Sequence, residues 1–277
     1  MIRTLILFVS LVSPSVCAGR PPNIVVFYTD DHGHADLGCQ GVLPDIRTPH
    51  IDALAASGVR AVHGYSTAPQ CVPSRAGLLA GKFQSRFGVE TNGASLEGFD
   101  REQTIAERLK KAGYATAQFG KWHLGPTPKI TEHGFDHVFA QNAQRPFSAN
   151  ISLDGEDIPM SQLKPELYHV DGCSRAASSV IRRYQDQPFF LYIAYRAPHV
   201  PLDAPPKYLK RFPGEMPQRR RQALAMISAT DDGVGLVMKT LKQCGLSENT
   251  LVFYIADNGA PLKIHKADIP GPGAGWD

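Results

Sequence analysis

The sequence carries little excess charge. Its formal net charge of +3 over 277 residues is too small to argue for a nucleic-acid or anionic-membrane partner. Among its five cysteines there is no C-x-x-C pair, which removes the usual zinc-ribbon and redox motifs. No internal repeat is present, so repeat architectures are excluded. No apolar run approaches the roughly twenty residues that span a bilayer, so no stable membrane insertion is expected. The rest is ordinary for a globular chain: 43% hydrophobic and 20% charged residues, in a length that suits one large domain or two small ones. The 25 glycines and 22 prolines imply many turns between short elements.

The N-terminus reads as a secretory signal peptide over residues 1–18. Arg3 gives a basic start, Thr4 to Val12 an apolar run, and Val16-Cys17-Ala18 a small-residue cleavage site. Export is therefore expected, to a periplasm or the exterior, or to a lysosome in an animal. Cys17 would leave with the leader. Cys39, Cys71, Cys173 and Cys244 remain, and if Cys71 is used in chemistry at least one of the others stays unpaired. An exported chain is permitted disulfides.

Four short apolar runs bounded by turn signals predict strands: Asn23–Thr29, Tyr114–Phe119, Pro188–Tyr195 and Thr250–Ala256. Helical spacing marks Thr48–Ser57, Arg101–Ala112, Gly172–Tyr184 and Gln218–Gln243. Strands apolar on both faces that alternate with helices predict an α/β fold with a doubly wound, mostly parallel sheet. Gln141–Tyr168 lacks periodicity and reads as an excursion with a hairpin around Asp154-Gly155. The final residues, Pro270-Gly271-Pro272-Gly273-Ala274-Gly275-Trp276-Asp277, follow no further element. A structureless stretch of that kind predicts that the chain is part of a longer protein.

Each predicted strand is followed by polar residues: Asp30-Asp31-His32-Gly33, Gly120-Lys121-Trp122-His123, Arg196-Ala197-Pro198-His199 and Asp257-Asn258-Gly259. Ligands of open parallel sheets bind beyond the carboxyl ends of the strands, so four distant stretches deliver polar groups to one edge. Asp30, Asp31, Asp257 and Asn258 offer oxygen donors only, which suits Ca²⁺ or Mg²⁺; the competing reading is that they cap turns and helices. Lys121, His123 and His199 suit an anion, with histidine available as a general acid; a single such histidine is as readily a hydrogen-bonded core residue. Lys121 and His123 stand two apart, so an extended segment would point both to one side. Cys71-Val72-Pro73-Ser74-Arg75 precedes a helix start at Ala76. A helix N-terminus and Arg75 predict a low-pKa thiolate at Cys71; the alternative is a buried small hydrophobe.

Cys71-Val72-Pro73-Ser74-Arg75 resembles the C-x-P-S-R signature of the formylglycine-dependent sulfatases, within the alkaline-phosphatase-like superfamily. Gly120-Lys121-Trp122-His123-Leu124-Gly125 matches that family's second block, and Asp30-Asp31, Ala197-Pro198-His199 and Asp257-Asn258-Gly259 match in order. Ala80 stands where the family usually has Thr. The resemblance spans Pro22 to about Pro261 and implies an incomplete catalytic domain over residues 19–277. It implies that a formylglycine-generating maturation enzyme oxidises Cys71 to Cα-formylglycine. The hydrated aldehyde attacks sulfur with one hydroxyl, and the other drives sulfate elimination. It further implies one ion, Ca²⁺ before Mg²⁺, on Asp30, Asp31, Asp257, Asn258 and the modified Cys71. Arg75 and His123 would hold the diol, Lys121 would bridge diol and sulfate, and His199 would contact sulfate and the leaving oxygen. The substrate would be a sulfated small molecule or glycan. The family's downstream sulfate-binding lysine has no clear counterpart, since Lys263 and Lys266 fall too close to Asn258. Competing expectations are a phosphoester or phosphonate hydrolase of the same superfamily and a non-catalytic fragment that binds sulfated ligands.

Overall fold

A computed structural model describes residues 20–141, 151–153, 156–158 and 168–260. The expected leader, the end of the chain from residue 261 and most of the excursion lie outside the described residues. The strands are β1 (Asn23–Asp30), β2 (Ala115–Gly120), β3 (His137–Gln141), β4 (Ile151–Leu153), β5 (Glu156–Ile158), β6 (Phe189–Pro198) and β7 (Thr250–Ala256). They form a single sheet in the order β5-β4-β3-β2-β6-β1-β7. The five from β3 to β7 are parallel. β4 and β5 add an antiparallel pair at one edge, with Leu153 opposite Glu156; the expected turn residues Asp154-Gly155 lie outside the described residues.

The helices are α1 (Pro49–Ser57), α2 (Cys71–Ala80), α3 (Glu97–Asp100), α4 (Ile105–Lys111), α5 (Pro128–Glu132), α6 (His169–Arg183), α7 (Pro206–Leu209) and α8 (Gln218–Gln243). α8 has the predicted limits. α4 starts four residues later than expected because Thr104 caps it. Its Oγ1 accepts from Glu107 N–H (3.2 Å) while Glu107 Oε2 accepts from Thr104 N–H (2.8 Å), a reciprocal capping box. α2 departs most from expectation. It begins at Cys71, not Ala76, and Asn92 Oδ1 accepts the N–H of Val72 at 3.0 Å.

The sheet is covered on both faces. Along β6, Phe189, Leu191, Ile193 and Tyr195 pack against α6 and α8 through Ala177, Ile181, Val234, Val237 and Leu241. The alternate residues Phe190, Tyr192 and Ala194 pack against Val72, Ala76 and Leu79 of α2 and against Trp122 and Phe135. Burial on both sides is why β6 reads as an unbroken apolar run, without period-two alternation. β3 was not predicted; five residues with His137 and Gln141 at the ends give neither alternation nor an apolar run.

β2, β6, β1 and β7, the four strands that carry the polar clusters, are consecutive in the sheet and parallel. Neighbouring strands lie about 4.8 Å apart, so four ends span only about 14 Å. Gly120 pairs with Ala194, Asp30 with Pro198, and Thr29 with Ala256. Topology alone thus brings the four stretches together.

Ile193, fully buried at the centre of the sheet, and Val59, 99% exposed, should separate core from surface. Ile193→Ala is expected to cost about 2–5 kcal/mol in denaturant unfolding. Val59→Ser should stay within about 0.5 kcal/mol of the parent. Similar losses for both would contradict this layering.

Candidate active site and metal centre

β1 ends in two adjacent carboxylates, which an extended backbone would send to opposite faces. Asp31 instead adopts φ 58°, the left-handed region that aspartate tolerates better than most residues. This rotation brings the two together. Asp30, Asp31, Cys71 and His199 each offer a ligand atom within 4.8 Å of the others. Asp31 is also tied to β7. Its N–H donates to Asp257 Oδ1 (3.1 Å) and its Oδ1 accepts from Asn258 Nδ2 (2.9 Å).

Arg75 stands beneath these carboxylates, fully buried on the first turns of α2. Its Nη2 lies 2.9 Å from Asp257 Oδ2 and 3.5 Å from Asp30 Oδ1. Its Nη1 donates to Lys121 C=O at 3.0 Å, and its guanidinium lies 5.2 Å from the Tyr28 ring centroid. One side chain therefore links β1, β2 and β7. Lys121 Nζ approaches Asp30 Oδ2 at 2.5 Å, and the Cys71 thiol donates to Asp30 Oδ1 at 3.2 Å. Ser74 Oγ donates to the Asp257 carbonyl, so the 2.9 Å contact between Tyr28 and Ser74 has the phenol as donor.

Burial and crowding set the protonation states. For Asp30, burial works upward, but Lys121 and then Arg75 outweigh it and hold the carboxyl below the usual range. Asp257 is pushed up to about 8, first by burial and then by Asp30. The Cys71 thiol is pushed up by burial, then by Asp30 and Asp257. The expected low-pKa thiolate is therefore corrected: two carboxylates oppose the helix end and Arg75, and Cys71 stays a thiol.

The predicted residues are gathered with two adjustments. His199 joins the carboxylates, with Nε2 at 3.6 Å from Asp31 Oδ2. Burial lowers its pKa and Lys121 adds to this, against Asp30 and Asp31. The segment after β2 is not extended as expected: Gly120 (φ 90°) and His123 (φ 61°) both turn it. Lys121 reaches Asp30, whereas the His123 side chain stays open to solvent. His123 is pushed down to about 4 by partial desolvation, then by Lys121 and Arg75, and is neutral at pH 7.

The donor set fits a hard divalent cation. Asp30, Asp31 and Asp257 are buried. Asn258 spends its Nδ2 on Asp31 and on Gly259 C=O, leaving a buried Oδ1 with no hydrogen-bond partner among the described residues. The Asp30 and Asp31 carboxylates and the unpaired Asn258 amide oxygen are donors that Ca²⁺ or Mg²⁺ takes, whereas both Asp257 oxygens already accept hydrogen bonds, from Asp31 N–H and Arg75. A divalent ion added to three carboxylates, Arg75 and Lys121 leaves the pocket net positive, suited to an anion.

Relatives decide the family. A sequence profile of the family described as Sulfatase matches residues 22–274. The chain belongs to the sulfatase family. This sulfatase chain is 31% identical to an arylsulfatase of Klebsiella aerogenes over 313 residues, covering 86% of itself and 66% of that protein. It is 34% identical to human N-acetylgalactosamine-6-sulfatase over 275 residues, covering 88% of itself and 51% of the relative. Among solved structures it resembles Ps i-CgsB in complex with k-i-k-neocarrahexaose, with a TM-score of 0.80 and 30% identity. That match covers 89% of this chain and 60% of the other. The chain thus spans between half and two thirds of the length of these relatives.

Sequence reasoning gave no role to Ser74 or Tyr28. Tyr28 precedes Asp30 by two in β1 and so shares its face, a signal present but unused. Asn92, the partner of Val72, lies in a loop with no local pattern.

Arg75→Leu leaves buried carboxylates without their shared guanidinium and should cost about 3–5 kcal/mol in unfolding experiments with chelator present. Lys121→Met should cost less, because this ammonium is 13% exposed. Equal losses would show that Arg75 is not the central tie.

Proposed function

We propose that this chain hydrolyses sulfate esters through the Cα-formylglycine hydrate derived from Cys71, with one Ca²⁺ as the metal. The observation that carries this reading is the position of Cys71. Its Sγ stands 3.2 Å from Asp30, whose carboxylate also meets Arg75 and Lys121, and it clusters with Asp31 and His199. An unconverted thiol there is a poor nucleophile, since burial and two carboxylates keep its proton on. Conversion replaces it with a gem-diol. One hydroxyl attacks sulfur and loses its proton, the S–O bond to the alcohol breaks, and the departing oxygen gains a proton. The second hydroxyl then loses its proton as the C–O bond to sulfate breaks, and the aldehyde returns. Water rehydrates it. Splitting displacement from release gives two lower barriers.

Arg75 and His123 hold the diol, Lys121 bridges it to the sulfate, and His199 contacts sulfate and the leaving oxygen. Asp30, Asp31, Asp257, Asn258 and the converted Cys71 hold the cation. When bound, the ion supplies positive charge that polarises sulfate oxygens. Several protein oxygens favour Ca²⁺, which takes six to eight ligands, over Mg²⁺, which keeps more of its water. The substrate class is a sulfated carbohydrate or an aryl sulfate. Relatives support both: the Klebsiella protein is named an arylsulfatase and the human one an N-acetylgalactosamine-6-sulfatase. A maturation enzyme is required as partner, and residues 1–18 are proposed as the export leader.

Peptide mass analysis after co-expression with a formylglycine-generating enzyme should show the segment containing Cys71 about 18 Da lighter, for loss of sulfur and two hydrogens and gain of oxygen. Cys71→Ala should lower sulfate release at least about 10³-fold. Full activity with an unconverted Cys71 would overturn the mechanism.

Chelator-treated protein should gain about 2.7 kcal/mol of stability when Ca²⁺ reaches a hundred times its Kd. Asp31→Asn should remove most of that gain. A calcium-independent unfolding curve would count against the metal assignment.

A further inference from the structure

Beneath the catalytic edge, on the face opposite α2, α6 begins with His169, a buried residue that its motif-poor surroundings gave no reason to single out. The β2–β6 ladder ends with Lys121 N–H donating to Ala194 C=O at 2.8 Å. Donors alternate sides along a strand, so the N–H of Arg196 is the next one facing β2. By then β2 has turned away at Gly120, φ 90°. His169 Nε2 accepts that N–H instead. The imidazole fills the vacated place closely: a Cβ on Gly120 would lie 3.1 Å from His169 Cε1.

On its other side β6 also breaks register. Tyr195 pairs with Thr29, but Asp30 pairs with Pro198. Arg196 and Ala197 are therefore extra residues, a bulge of the kind that re-aims side chains beside active sites. The β1 register skips this bulge, which leads directly to His199, whose N–H donates to Arg196 C=O at 2.9 Å, and lies against Asp30.

A backbone N–H only donates, so Nε2 of His169 must carry a lone pair and the proton sits on Nδ1. That proton faces Cys173 Sγ at 3.4 Å. Burial, then Arg196, pushes His169 down to about 3, which keeps the ring neutral. Tyr195 packs against it at 6.4 Å between centroids and is itself anchored to α6 by Ser174 at 2.7 Å.

We propose that His169 is a positioning residue: its Nε2 replaces the missing ladder acceptor for Arg196, fixing the β6 bulge and thereby the placement of His199 against Asp30 and Asp31. The kinetic consequence rests on the sulfate-ester reading above; the geometric claim does not. A small displacement of His199 should act on the reacting oxygen more than on substrate capture, which Lys121 and the cation dominate.

The test uses the full chain, His169→Leu and His169→Gln, the last able to offer an acceptor oxygen. In the unsubstituted protein, nitrogen NMR should show His169 protonated on Nδ1 alone. In His169→Leu the Arg196 amide should exchange at least about tenfold faster, and kcat for an aryl sulfate should fall about 10- to 100-fold with KM nearly unchanged. His169→Gln should restore much of both. A proton on Nε2 would overturn the proposal, even if the leucine variant fails to fold. Unchanged Arg196 exchange and kcat in a folded leucine variant would overturn it too. If the unsubstituted chain releases no sulfate, the sulfate-ester reading fails, and the nitrogen and exchange measurements still decide the role of His169.

Discussion

The site depends on one buried guanidinium. Arg75 sits with no solvent contact between Asp30 and Asp257 and holds the Lys121 carbonyl. Buried carboxylates repel one another and lose hydration, a penalty of several kcal/mol per ion in real proteins. Arg75 and Lys121 offset part of it, yet burial and the neighbouring Asp30 still push the Asp257 carboxyl upward. A site this short of positive charge suits a cation, and with a cation in place it would suit an anion. Both proposed binding events would follow from a single electrostatic arrangement at the end of the sheet.

Much of this was legible in the sequence because of how parallel sheets are built. Strands buried on both faces read as apolar runs, and the residues after each run fall at the same edge. That was enough to nominate Asp30, Lys121, His199 and Asp257 before any coordinates. The strand order then brought β2, β6, β1 and β7 side by side, which sequence alone did not dictate. The antiparallel pairing of β4 with β5 agrees with the hairpin expected in that stretch.

Other features were hidden for identifiable reasons. The start of α2 at Cys71 is set by a side chain twenty-one residues downstream, Asn92, so no local signal marks it. The state of the Cys71 thiol depends first on burial and then on two carboxylates distant in sequence, and counting only the helix end and Arg75 gave the wrong sign. The left-handed turn at Asp31 and the turns at Gly120 and His123 decide which side chains converge, yet aspartate and histidine are weak predictors of such backbone. His169 belongs to the same class: its role exists only because two ladders fail at the same place.

The converted Cys71 and a divalent ion are proposed to share one site at the carboxyl ends of four adjacent strands. A crystal structure of the matured protein grown with calcium tests it most directly. A single ion is expected about 2.3–2.6 Å from oxygens of Asp30, Asp31 and Asn258, with a diol at position 71 beside it. An ion bound elsewhere, or an unaltered thiol at position 71 in active protein, would contradict it.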